Sequence, residues 1–126
     1  MIGILLDAPE VEVGGKVAGR VVGTPEKKWQ AVAIEVGWRT EGRGTPEQVT
    51  VATVRRTPEE DGAFIAGASI PVDVPFEVEI PSEGPISYDG QIVRFIWCVS
   101  ATLEIPWARD EKKEVVFRVV PRFIEI

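Results

Sequence analysis

Residues 74–103, VPFEVEIPSEGPISYDGQIVRFIWCVSATL, leave a chain like this few ways to fold. Val74, Phe76, Val78 and Ile80 alternate with Pro75, Glu77, Glu79 and Pro81, the two-residue period of a strand with one face buried. Pro, Gly and Ser then break the run. The period resumes with Val93, Phe95, Trp97, Val99, Ala101 and Leu103. Strands are therefore expected at 74–80 and 91–104. No window of the chain combines a helical apolar period with end caps, so no helix longer than about two turns is expected.

The same reading places further strands at 1–6, 16–22, 29–39, 47–56, 63–70 and 113–120, with a short extension at 122–126. The turns between them carry their own chemistry. Gly14-Gly15 and Asp89-Gly90 are candidates for positive φ, 42–46 breaks pairing with Gly-Arg-Gly-Thr-Pro, and 59–62 reads as a polar hairpin tip. About eight short strands at this spacing predict an all-β fold, an antiparallel two-sheet β-sandwich of immunoglobulin-like type. Its core is expected to draw on Val17, Val21, Val32, Ile34, Val36, Phe76, Val78, Phe95, Trp97, Val99, Leu103, Phe117 and Val119. Without a repeat or linker, the 126 residues are expected to form one domain, large enough to bury a core unaided.

The strand ending at Ile-Pro, the Pro-Ile-Ser-Tyr-Asp-Gly turn and the long alternating strand after it resemble the arrestin-like β-sandwich family. The resemblance takes in ILLDAPEVEVGGKVAGRVVG near the N-terminus, then Val32, Ile34, Val36 and Trp38, and the closing Phe117-Arg118-Val119. About four-fifths of the chain fits in order. Eukaryotic arrestins join two such sandwiches and this chain supplies one, and Ile-Pro-Trp-Ala-Arg-Asp at 105–110 looks more like small bacterial members. The resemblance implies the arrestin-like sandwich and a scaffolding or adaptor role. It does not carry over a phosphate sensor, because no basic residues match one.

Composition narrows the chemistry. Histidine is absent, which removes the commonest general base and every imidazole ligand. The serines lack a motif tying them to a lysine, and Gly14-Gly15-Lys16 lacks the other residues of a phosphate loop. No spacing suits zinc or calcium, and no cofactor is implied. The chain is read as non-enzymatic. A net charge of −6 disfavours the phosphate backbone of nucleic acids. Arg39, Arg43, Arg55 and Arg56 form a local basic stretch, read as a solvated surface, with an anionic-ligand site as the alternative. One cysteine, Cys98, excludes an internal disulfide and suits a reducing compartment. MIGILLD is too short and lacks the basic flank of a signal peptide or span, so a cytoplasmic protein is expected. The absence of asparagine fits a thermophile or a GC-rich genome equally.

Two features bear on function. Trp38 and Trp97 continue core parities, whereas Trp29 and Trp107 sit at positions open to solvent. Exposed tryptophans would give a small-ligand module that binds carbohydrate or lipid. The stronger clue is the outward parity of three strands. Ala31 and Ala33, then Ile96 and Cys98, then Val116 point away from the expected core and yet are apolar. If those strands are neighbours, they form a face that calls for a protein partner or self-association. The chain is accordingly expected to be a protein-interaction module, docking through this face or by strand addition at a free edge.

Overall fold

The computed structural model describes residues 2–25, 28–58 and 71–122. Nine strands and no helix form among them: β1 (Ile2–Leu6), β2 (Glu10–Glu12), β3 (Lys16–Gly23), β4 (Ala31–Gly42), β5 (Gln48–Arg56), β6 (Val72–Glu79), β7 (Tyr88–Asp89), β8 (Val93–Glu104) and β9 (Glu111–Val120). The expected strand at 63–70, the hairpin tip at 59–62 and nearly all of the extension at 122–126 lie outside the described residues. With no helix among the described residues, none is long and apolar enough to cross a membrane.

Two sheets pack face to face. The smaller has the order β1-β3-β6; the larger runs β2-β9-β8-β4-β5, with β7 paired to β8 beside that path. Pairing is antiparallel except where β2 joins β9 in parallel, at Glu10↔Arg118 to Glu12↔Val120, a departure from the wholly antiparallel sandwich expected. β4 and β8 form the spine, in register from Ala31↔Glu104 to Gly42↔Val93.

The alternation read from sequence decides which side chains meet. Along β6, buried Val72, Val74, Phe76 and Val78 alternate strictly with exposed Asp73, Pro75, Glu77 and Glu79. Twelve of the thirteen expected core residues are buried; Phe95 is half-buried, because β8 there approaches the end of the sandwich. Trp97 and Phe117 lie at the centre, rings 6.0 Å apart and tilted by 52°. Trp97 Nε1 donates to the Pro85 carbonyl at 2.8 Å, which satisfies the indole in the core and ties down the segment leading to β7. Trp29 is also buried, contrary to its expected exposure: its strand begins two residues later, and the ring packs into the core cluster.

Two backbone details shape the larger sheet. A bulge interrupts the β4–β5 register, so that Val36 faces Ala52 but Gly37 faces Thr50 and Val51 is the extra residue. Only glycine fits at 37, since a Cβ there would lie 2.1 Å from the Val49 carbonyl oxygen. Gly14 turns at φ 81°, as its expected turn requires, whereas Gly90 turns without positive φ.

Candidate functional site

The outer face of the larger sheet is where the sequence pointed, and β4, β8 and β9 are indeed adjacent there. Gly37 pairs with Cys98, Arg39 with Ile96, and Cys98 with Val116. The face is narrower than its parity suggested. Ala31 is fully buried and Cys98 nearly so, while Ala33 and Ile96 are half-buried and Val116 is 54% exposed. Arg39 causes much of this. Its Nη1 lies 3.7 Å from Cys98 Sγ and donates to Glu114 Oε1 at 2.5 Å, so the guanidinium roofs the thiol. Burial pushes the Cys98 thiol up from its ordinary pKa, with the Glu114 carboxylate adding to the rise; Arg39 pulls the other way and is outweighed. Cys98 is held as a neutral packed thiol. A cationic neighbour 59 residues away could not be seen from sequence.

Beyond Arg39 the face opens into a groove of about 430 Å³. Its origin is a change of partner along β8. From Leu103 to Trp97 that strand pairs with β9, but at Phe95 and Arg94 it pairs with β7. β9 instead continues alongside β2. Ser87 holds the split at a fixed width: its N–H donates to the Val119 carbonyl at 2.7 Å, and its Oγ accepts from the Val119 N–H at 2.8 Å. The floor comprises Phe95, Ile96, Val116 and Phe117, and Tyr88, 55% exposed, forms part of the wall.

Charges rim the groove in a connected chain. Arg39 pairs with Glu114 and, through Nε at 3.5 Å, with Glu41; Arg94 reaches Glu41 at 3.6 Å and Asp89 at 2.8 Å. Each of these pairs is partly solvated and worth at most about 1 kcal/mol, so their service is to fix side-chain positions. Arg118 is different. It is exposed on the rim, and among the described residues no carboxylate pairs with its guanidinium. Nothing in the sequence signals a role for Arg118 or Ser87, because only the register of four separate segments brings them beside Tyr88.

The remaining candidates do not converge. Arg55 pairs with Glu104 and stands opposite Ala33, whereas Arg39 stands opposite Ile96, so the basic stretch is spread along the hairpin. Of the four tryptophans, Trp107 alone is fully exposed. It occupies the third position of a turn closed by Ala108 N–H to the Ile105 carbonyl, at φ 61°, where glycine or asparagine is usual.

No family model matches the sequence, and neither does any curated protein. Among solved structures, the fold is similar to that of Spo0M, a sporulation control protein from Bacillus subtilis, with a TM-score of 0.68 and 17% identity over 96% of this chain. This chain spans about half of that one, 49% of its length. It is also similar to a superoxide reductase (neelaredoxin) from Ignicoccus hospitalis, with a TM-score of 0.54 and 15% identity, covering 95% of this chain and 80% of that one. Murine CRIg aligns over 98% and 99% of the two chains at 10% identity and a TM-score of 0.46. Likeness at these identities is likeness of fold. The chain is an all-β, two-sheet sandwich.

Proposed function

We propose that this chain is a non-enzymatic, arrestin-like protein-interaction module, cytoplasmic in setting, that receives a segment of a partner in the groove between β7 and β9. The observation that carries the reading is the pairing of a solvent-open apolar floor, Ile96 and Val116, with one uncommitted cation, Arg118, on a rim whose other charges are satisfied. Apolar contact supplies affinity in such a groove, and a charge at its edge fixes orientation. The ligand best suited is a peptide segment carrying an aliphatic side chain next to a carboxylate.

The absence of histidine across the chain supports a non-catalytic role, as does a sole cysteine held neutral under Arg39. The likeness to a superoxide reductase is one of fold at 15% identity and brings no reaction with it. The carbohydrate or lipid reading has one exposed tryptophan to work with, Trp107, which among the described residues stacks on no other ring; a sugar-dependent change in tryptophan fluorescence would favour it.

Selection of random displayed peptides on the purified chain tests the proposal. Enriched sequences should pair an aliphatic residue with an acidic one. Val116→Lys and Arg118→Glu should each abolish their binding, while Lys16→Glu on the opposite sheet leaves it intact. Enrichment that survives both groove variants would refute the site.

A further inference from the structure

Residues 123–126 lie outside the described residues, but their sequence, Phe-Ile-Glu-Ile, sets Glu125 between two isoleucines. That is the chemistry the groove calls for, an aliphatic side chain next to a carboxylate. Everywhere else in the chain, a valine, leucine or isoleucine next to a carboxylate has at least one of the two in a strand, committed to the sandwich. The segment also departs from the groove's own wall: Val116 and Arg118 lie on β9, which ends at Val120. The groove of its own copy is nonetheless out of its reach. β2 and Ser87 take up the two in-plane sides of β9 at 118–120, so the chain beyond Val120 has to climb onto the outer face, about 10 Å above the sheet. At about 3.3 Å per residue the climb brings Phe123 level with Val120 and leaves both isoleucines short of Val116. The other undescribed residues, 1, 26–27 and 59–70, attach at the opposite end of the sandwich, where Val32 pairs with Arg56 and Leu103, about 23 Å along β8 from Ile96.

We infer that the groove takes residues 123–126 of a second copy, so that one partner of this module is the chain itself; the inference rests on the groove reading and names its ligand. Alternate residues of an extended segment face opposite ways. Ile124 and Ile126 therefore meet Ile96 and Val116 on the floor, and Glu125 rises to the rim, where the Arg118 guanidinium has no carboxylate of its own among the described residues. The rim carboxylates Glu41, Asp89 and Glu114 are each paired with Arg39 or Arg94, which lowers their repulsion of Glu125. The charge-assisted bond fixes the register of the segment, while the floor supplies the affinity. Each copy carries one segment and one groove, so reciprocal exchange closes at two copies.

Sedimentation velocity of the full chain across a dilution series should show the wild type as a dimer. Val116→Lys blocks the groove and Glu125→Lys reverses the charge of the segment; each should weaken dimerisation roughly tenfold or more. Arg118→Glu/Glu125→Lys, with both charges exchanged, should recover what Glu125→Lys loses. Mixing Val116→Lys with Glu125→Lys should give a mixed dimer tighter than either variant's own, since one brings an intact segment and the other an intact groove. Circular dichroism checks folding, and if Val116→Lys does not fold, Arg118→Glu replaces it in the mixture. A wild type monomeric at every concentration overturns the inference, as does a dimer indifferent to Glu125→Lys or a mixture no tighter than its components. If displayed peptides still require Val116 and Arg118 in that event, the groove reading stands and only its self-ligand falls; if they do not, both fall.

Discussion

Replacing Trp97 by Phe tests whether the core and the groove are held by the same bond. The indole is fully buried, and its Nε1–H is the donor to the Pro85 carbonyl, 2.8 Å away. Phenylalanine keeps the aromatic contact with Phe117 but has nothing to donate. Leaving a partly buried carbonyl without its partner costs about 1–3 kcal/mol. The lost ring volume, about 40 Å³, adds about 1 kcal/mol at about 24 cal/mol per Å³ if the cavity does not collapse. The sum, about 2–4 kcal/mol, is a sizeable part of the stability of a domain this size. It should lower the melting temperature by roughly 6–15 °C. Urea unfolding followed by circular dichroism measures it, with an unchanged slope showing that the denatured state is the same. The Pro85 tether also leads into β7, so amide hydrogen exchange should quicken at Ile86 and Tyr88 well before it does in β4. A loss below about 0.5 kcal/mol would show that the indole N–H is not spending its bond on Pro85, and the reasoning would fail.

Two further expectations follow from single positions. Gly37→Ala would set a Cβ 2.1 Å from the Val49 carbonyl oxygen, a backbone atom that cannot step aside, and should cost about 2–4 kcal/mol; Gly3→Ala, with nothing within 4 Å, should cost under about 0.5 kcal/mol in the same titration. Cys98 has its pKa raised in the folded state, so its contribution to stability is complete below the unfolded thiol's pKa, near 9.0, and is lost as pH rises through the higher folded value. Stability measured from pH 7 to 10.5 should therefore fall less steeply in Cys98→Val than in the wild type, and a thiol reagent at pH 8 should label Cys98 only after unfolding; rapid labelling of the native protein would contradict the burial.

The elements were legible where one face of a strand is buried from end to end. β3 and β6 lie within about two residues of their expected bounds, since alternation there is strict and turn residues flank it; β5 and β9 match as closely although a bulge breaks the alternation of one and the other is exposed over 112–114. β2 and β7 were missed because three and two residues are too few to show a period. β4 runs on to Gly42 because β8 pairs with it that far, a long-range cause. Parity identified the outer face but not its depth. Ala31 and Cys98 are outward by alternation and still buried, Ala31 at the start of its strand and Cys98 beneath Arg39. The groove was not legible at all. Its lining comes from 39–41, 87–89, 94–96 and 116–118, and no local pattern states that β8 exchanges β9 for β7 at Ile96.

That exchange of partners separates two things that binding sites usually mix. The width of the groove is set by the main-chain β7–β8 and β8–β9 ladders and by the Ser87–Val119 clasp, to which Ser87 adds its hydroxyl, whereas its chemistry rests on other side chains that project from the ladders without holding them together. Changes at 88, 96, 116 and 118 can therefore rewrite what the cleft prefers while its dimensions stay fixed. On the proposed reading, such a groove changes its partner by point substitution alone, with no remodelling of loops.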